Sequence, residues 1–162
     1  MTKSGFSLIE LTVVIGLLSL LMLAISTTML MSIVTSNRIR TSTKVKQAGN
    51  YALGQIQSML RNAKSITLCD SDASSLTMTN LDGGSTLITA QSDGTNTRIA
   101  SGSGVYLTPA NLSTYNFSLI CQPSDTAPAL VNLSFDLKDS AGSGAVNNPL
   151  LHFETSVNLR NE

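Results

Sequence analysis

Glu10 is the residue whose chemistry demands an account. It stands directly before Leu11–Val34, 24 consecutive residues without a charge, a proline or an amide side chain. A carboxylate inside such a segment costs roughly 2.5–3.5 kcal/mol on membrane-insertion scales, so residues of this kind are rare and are usually paired. On a lone anchor, Glu10 would sit at the membrane edge and be solvated there. In a bundle of identical helices it would need a cation. Two other residues have usable chemistry: Cys69 and Cys121 lie 52 positions apart, with no Cys-x-x-Cys or Cys/His pattern around them, which argues against a metal site. If that part of the chain lies outside the cytoplasm, the two thiols are a candidate disulfide whose loop closure would contribute about 4 kcal/mol. Otherwise they are two separate buried thiols acting as small apolar side chains.

Enzymatic chemistry finds little footing. His152 is the only histidine, flanked by Leu151 and Phe153 in an alternating segment, and reads as the polar face of a strand. There is no Gly-x-Ser-x-Gly elbow, no phosphate-binding glycine loop and no carboxylate pair at a recognisable spacing. The reading is therefore a non-enzyme without metal or cofactor. Three Asn-x-Ser triplets, at Asn111, Asn116 and Asn132, follow from a composition rich in Asn, Ser and Thr.

The elements that must position these residues are written in the periodicity. The 24-residue run would span roughly 36 Å as a helix, enough for a hydrocarbon core of about 30 Å. Past it the helical period continues: Val45, Ala48, Ala52, Ile56, Met59, Leu60 and Ala63 form one apolar stripe. The spacing predicts helix from about 7 to 64, in one piece or two joined at a weak point, with Gly49 and Gly54 each lowering propensity by up to about 1 kcal/mol. Then the period becomes two. Strands are predicted at Ser75–Thr79, Thr86–Ala90, Thr97–Ala100, Tyr115–Cys121, Leu130–Leu137 and Leu151–Leu159, with hairpin turns at Asp82-Gly83-Gly84 and Asp93-Gly94 and a loop over Ser140–Pro149. Each strand shows one apolar face, and a sheet of this kind needs the helical stripe as its cover. Charge follows the same division. Thr35–Cys69 carries Arg38, Arg40, Lys44, Lys46, Arg61 and Lys64 and no acid, whereas nine acids oppose three basic residues from Asp70 onward.

The segment Gly5-Phe6-Ser7-Leu8-Ile9-Glu10-Leu11, with the apolar run behind it, resembles the prepilin cleavage and methylation motif of type IV pilins and of the pseudopilins of type II secretion. An ordinary secretory signal is cut after its apolar region; here the short, polar, glycine-terminated piece lies before it. By this resemblance Gly5 is the glycine before the cut and Phe6 the residue that becomes the N-methylated terminus. Glu10 is the glutamate needed for assembly and Leu11 the apolar residue following it. Gln55–Ala63 and Thr155–Asn161 are similar to minor subunits of the larger kind. The resemblance implies an α+β, type IV pilin-like fold with a leader at 1–5, a transmembrane and filament-core helix at 6–34, an amphipathic continuation at 35–64 and a β-rich domain at 65–162. It implies a structural, minor subunit of a type IV pilus or a type II secretion-like pseudopilus. Its partners would be a prepilin peptidase, other pilin or pseudopilin subunits, and an inner-membrane assembly platform. The place implied is the inner membrane, leader in the cytoplasm, and then an extracytoplasmic filament. The reading from another class is a single-pass membrane-anchored extracytoplasmic binding domain that never polymerises.

Two features depart from the family pattern. Many major pilins have a proline midway along the membrane helix, whereas this chain has none before Pro109 and offers only Gly16 as a flexible point. The charges also oppose the implied orientation: Lys3 alone precedes the apolar run while Arg38, Arg40, Lys44 and Lys46 follow it, and the positive-inside rule alone would place the C-terminal part in the cytoplasm. The leader-inside orientation is adopted because it accounts for Gly5, Phe6 and Glu10 together. The basic stretch could also meet DNA phosphates, but four charges without interleaved aromatics are a weak footprint.

Overall fold

The computed structural model describes residues 7–70, 72, 74–102, 104–122, 130–140 and 148–159. Among the described residues a single helix, α1 (Leu8–Arg61), is followed by strands β1 (Ala63–Asp70), β2 (Ser75–Asn80), β3 (Ser85–Ser92), β4 (Thr97–Ser101), β5 (Val105–Tyr106), β6 (Leu112–Gln122), β7 (Leu130–Asp139) and β8 (Leu151–Asn158). All pairings are antiparallel. The α+β layout expected from periodicity is therefore present: one long helix, apolar at its N-terminal end, then antiparallel sheet. The chain divides into two compact units at Ile39/Arg40.

In the first unit, every described residue from Ser7 to Ile39 is exposed. Within this unit the helix is held by its own backbone bonds.

The second unit has a true core. The helical stripe buries Val45, Gly49, Ala52, Ile56 and Leu60, at steps of three and four. Val45, Ala52, Ile56 and Leu60 join Leu76, Met78, Ile88 and Ile99 from one sheet and Leu119, Val131, Leu133, Phe135, Leu137 and Val157 from the other in one cluster. Ile56 and Leu60 have no exposed surface, and each such burial stabilises by about 1.5–3 kcal/mol. Polar ties fix the seam: the Gln57 side-chain amide donates to Thr155 Oγ1 at 2.5 Å, and Ser101 Oγ lies 3.4 Å from Met59 Sδ.

The strands differ from the sequence expectation in three ways. They form two sheets, a five-stranded one in the order β1-β2-β3-β4-β5 and a three-stranded one in the order β6-β7-β8. The helix ends at Arg61 instead of 64, and Ala63, assigned by periodicity to the helical stripe, begins β1. Ala63 is buried as the first residue of β1, so its apolar character suited both readings. β1 and the two-residue β5 have no counterpart in the predicted strands. The two hairpins stand as expected. Gly83 in the β2–β3 turn has φ of 82° and Gly94 in the β3–β4 turn has φ of 92°, a backbone region that glycine enters without strain. Asp93 Oδ1 accepts backbone N–H bonds from Thr95 and Asn96 at 3.0 and 2.8 Å, which hold its carboxyl below the usual range. Of the predicted Ser140–Pro149 loop, 141–147 lie outside the described residues. At its closing end, Asn148 Oδ1 accepts from Asp139 N at 3.1 Å and its Nδ2 donates to the Asp139 carbonyl.

Gly49 explains itself here. A Cβ at this position would fall onto the Phe153 ring, which in turn stacks on Phe135 at 5.4 Å between centroids. The glycine that weakens the helix locally is what lets an aromatic ring of β8 lie against the helix backbone. Gly49→Ala is expected to destabilise this unit by about 1–3 kcal/mol through overpacking, even though alanine is the better helix former. Gly54→Ala, whose Cβ meets nothing within 4 Å, is expected to raise stability by up to about 1 kcal/mol. Urea denaturation of the two variants in the same detergent checks the opposite signs; equal effects would reject the packing argument.

Candidate functional site

Gly5 and Phe6 lie outside the described residues, so the expected cleavage position has no structural description. Glu10 and Leu11 fall in the first turn of α1. The Ser7 carbonyl accepts from the Glu10 N–H at 3.0 Å and the Leu11 N–H at 3.3 Å, so the backbone turns into the helix at Ser7. Ser7-Leu8-Ile9-Glu10 also has the spacing of a capping box, in which the glutamate side chain would return to the Ser7 N–H. That local use of Glu10 does not occur. Among the described residues its carboxylate has no hydrogen bond and no ion pair, although a negative charge in the first turn suits the helix dipole.

Five hydroxyls of the same segment behave differently. Thr12, Ser19, Ser26, Thr27 and Thr28 each donate to a carbonyl three or four residues earlier, at 2.8–3.2 Å. Each satisfies its donor inside the helix, as an apolar surrounding requires. α1 is long and apolar enough to cross a membrane. Within this stretch Glu10 is the ionisable side chain, and it has no partner among the described residues.

Cys69 and Cys121 are brought together: they form a disulfide with Cα atoms 6.3 Å apart. Cys69 is the penultimate residue of β1 and Cys121 of β6, so the bridge joins an edge strand of each sheet.

His152 does lie on an outward face of β8, but not alone. Its Nδ1 is 2.6 Å from Asp136 Oδ1 on β7, and Asn116 Nδ2 donates to Asp136 Oδ2 at 2.6 Å from β6. Asn116 has a φ of 50° within the irregular stretch between Tyr115 and Ser118, so the cluster pins a bulge across three strands. The Asn116 and His152 bonds hold the Asp136 carboxyl below its ordinary 3.8, while the Asp136 bond holds the imidazole above 6.5. Glu154 Oε2 lies 3.7 Å from Nε2 on the other side. The imidazole thus lies between two carboxylates and ties β8 to β7.

A second cluster escaped the sequence reading because its members are far apart in type and place. The Arg98 guanidinium lies 4.0 Å from the Tyr106 ring centroid, donates to the Thr108 carbonyl and pairs with Asp93 at 3.4 Å. These contacts tie β4 to the segment entering β6. Beside them is a groove of about 620 Å³ lined by residues that include Lys44, Tyr51, Tyr106 and Pro109. No group of three or more His, Cys, Asp or Glu suited to a metal ion occurs among the described residues.

The geometry defines a class: an α+β chain with a helix able to span a membrane and a disulfide-closed antiparallel β-domain. No family model, curated protein or solved structure matches it.

Proposed function

We propose that this chain is a structural, minor subunit of a type IV pilus or a type II secretion-like pseudopilus. It is made as a prepilin in the inner membrane with residues 1–5 in the cytoplasm. A prepilin peptidase cuts between Gly5 and Phe6, Phe6 is N-methylated, and an assembly platform inserts the subunit into a filament through its apolar helix. The observation that carries the proposal is Glu10: an ionisable side chain at the head of an exposed apolar helix, with no partner among the described residues. The amine created at Phe6 of a neighbouring subunit is the cation that fits it, and the pair sets the axial register. The layout of α1 followed by antiparallel sheets supports the same reading.

The test is the intact mass of the protein expressed with and without a prepilin peptidase. The expected product begins at Phe6 and carries one added methyl group only when the enzyme is present. A full-length product in both samples, with the enzyme active on a control substrate, would leave a membrane-anchored binding domain.

A further inference from the structure

Arg38, Arg40, Lys44 and Lys46 lie four to twelve residues beyond Val34 on the same helix, α1. All four are exposed, and none is paired with an acid among the described residues. No acidic residue occurs between Glu10 and Asp70, so their charge is not offset locally. At about 100° per residue they point to several sides of the helix instead of forming one stripe, while Val45 between them takes the buried position. Charges arranged around a helix, immediately past an apolar stretch of membrane length, meet a surrounding surface more naturally than a single groove on one partner.

We propose that these four residues form a collar that binds anionic phospholipid headgroups of the leaflet on the β-domain side. The proposal rests on the membrane-spanning reading of α1 but not on which side the β-domain occupies. Phosphates recruited around the helix would neutralise the four cations and hold the helix at a set depth. Each cation near an anionic surface gives about a fivefold gain in partition, so four give a preference that neutral lipid cannot supply. A function of this kind would make release from the membrane, and not only capture by a partner, depend on lipid charge.

The test compares the full chain with R38Q/R40Q/K44Q/K46Q, both reconstituted in vesicles of phosphatidylcholine containing phosphatidylglycerol. Spin-labelled versions of each lipid report enrichment at the protein boundary, and protection of α1 from protease reports insertion. The wild type is expected to enrich the anionic lipid by about fivefold or more. The four-glutamine variant, and the wild type in about 1 M salt where screening falls to about 3 Å, are expected to lose the enrichment. A charge-preserving variant, R38K/R40K/K44R/K46R, is expected to keep it. Insertion without enrichment overturns the proposal and leaves the membrane reading intact; failure to insert overturns both. Loss of duplex-DNA binding, or of self-association in neutral vesicles, in the glutamine variant with an unchanged lipid ratio would assign the cations to those partners and overturn the collar.

Discussion

Glu10→Ala is expected to abolish incorporation into filaments while leaving the chain membrane-inserted, cleaved and folded. Glu10 is exposed, its side chain forms no hydrogen bond or ion pair with a described residue, and it lies far in sequence from the β-domain core, so its removal costs that core nothing. In the proposed filament the loss is of another kind. The amine at Phe6 of a neighbour would remain charged in an apolar bundle without its carboxylate, and breaking one partner of a buried pair costs about 3–5 kcal/mol. At about 1.4 kcal/mol per tenfold, each subunit addition weakens by more than a hundredfold. Glu10→Asp, which keeps the charge on a shorter side chain, is expected to restore assembly in part. The readout is the filament fraction sheared from cells, normalised to membrane-bound subunit. Filaments at the wild-type level in the alanine variant would remove Glu10 from assembly and favour the lone anchor.

The second large effect is on stability. Replacing both Cys69 and Cys121 by serine is expected to destabilise the β-domain by about 4 kcal/mol, the loop-closure contribution for a separation of 52 residues. On the scale of enthalpies usual for a domain of this size, that is a fall in melting temperature of about 15 °C. Each replaced sulfur also leaves a hydroxyl beside the core, since both cysteines pack against the main apolar cluster. Thermal melts of the full chain in detergent, followed by near-ultraviolet circular dichroism, measure it. A loss below about 1 kcal/mol would mean that the two sheets are held together by packing alone.

What could be read in advance was what is local. The hairpins at Asp82-Gly83-Gly84 and Asp93-Gly94 carry their turn chemistry in adjacent residues, and the stripe through Val45, Ala52, Ile56 and Leu60 carries its period in one helix. Glu10 stands out because its apolar context is contiguous with it. Division into two sheets was not readable, because alternation names a buried face but not the strand beside it. β1 was hidden because Ala63 continues the helical apolar stripe. Gly49 looked like a weak point since the ring it accommodates belongs to Phe153, about a hundred residues later. Asn116, Asp136 and His152 meet only once three strands and a bulge are in register. The disulfide was readable as a pair of candidate partners, while the strands that it joins were not.

The place of that disulfide has a mechanical consequence. Once the buried stripe of α1 has been drawn off the sheets, a pull along the helix reaches β1 after one residue, Asn62, and β1 is an edge strand paired on one side with β2. Edge strands yield by peeling, one pair of hydrogen bonds at a time, starting here from Ala63. Peeling can proceed only to Cys69, where the covalent bond transfers the force to β6 and the second sheet. The chain freed before that point is six residues, about 21 Å when fully extended. A stretched β-domain would therefore lengthen by a short, bounded step and then stiffen, and in the proposed filament its two sheets would stay joined under load.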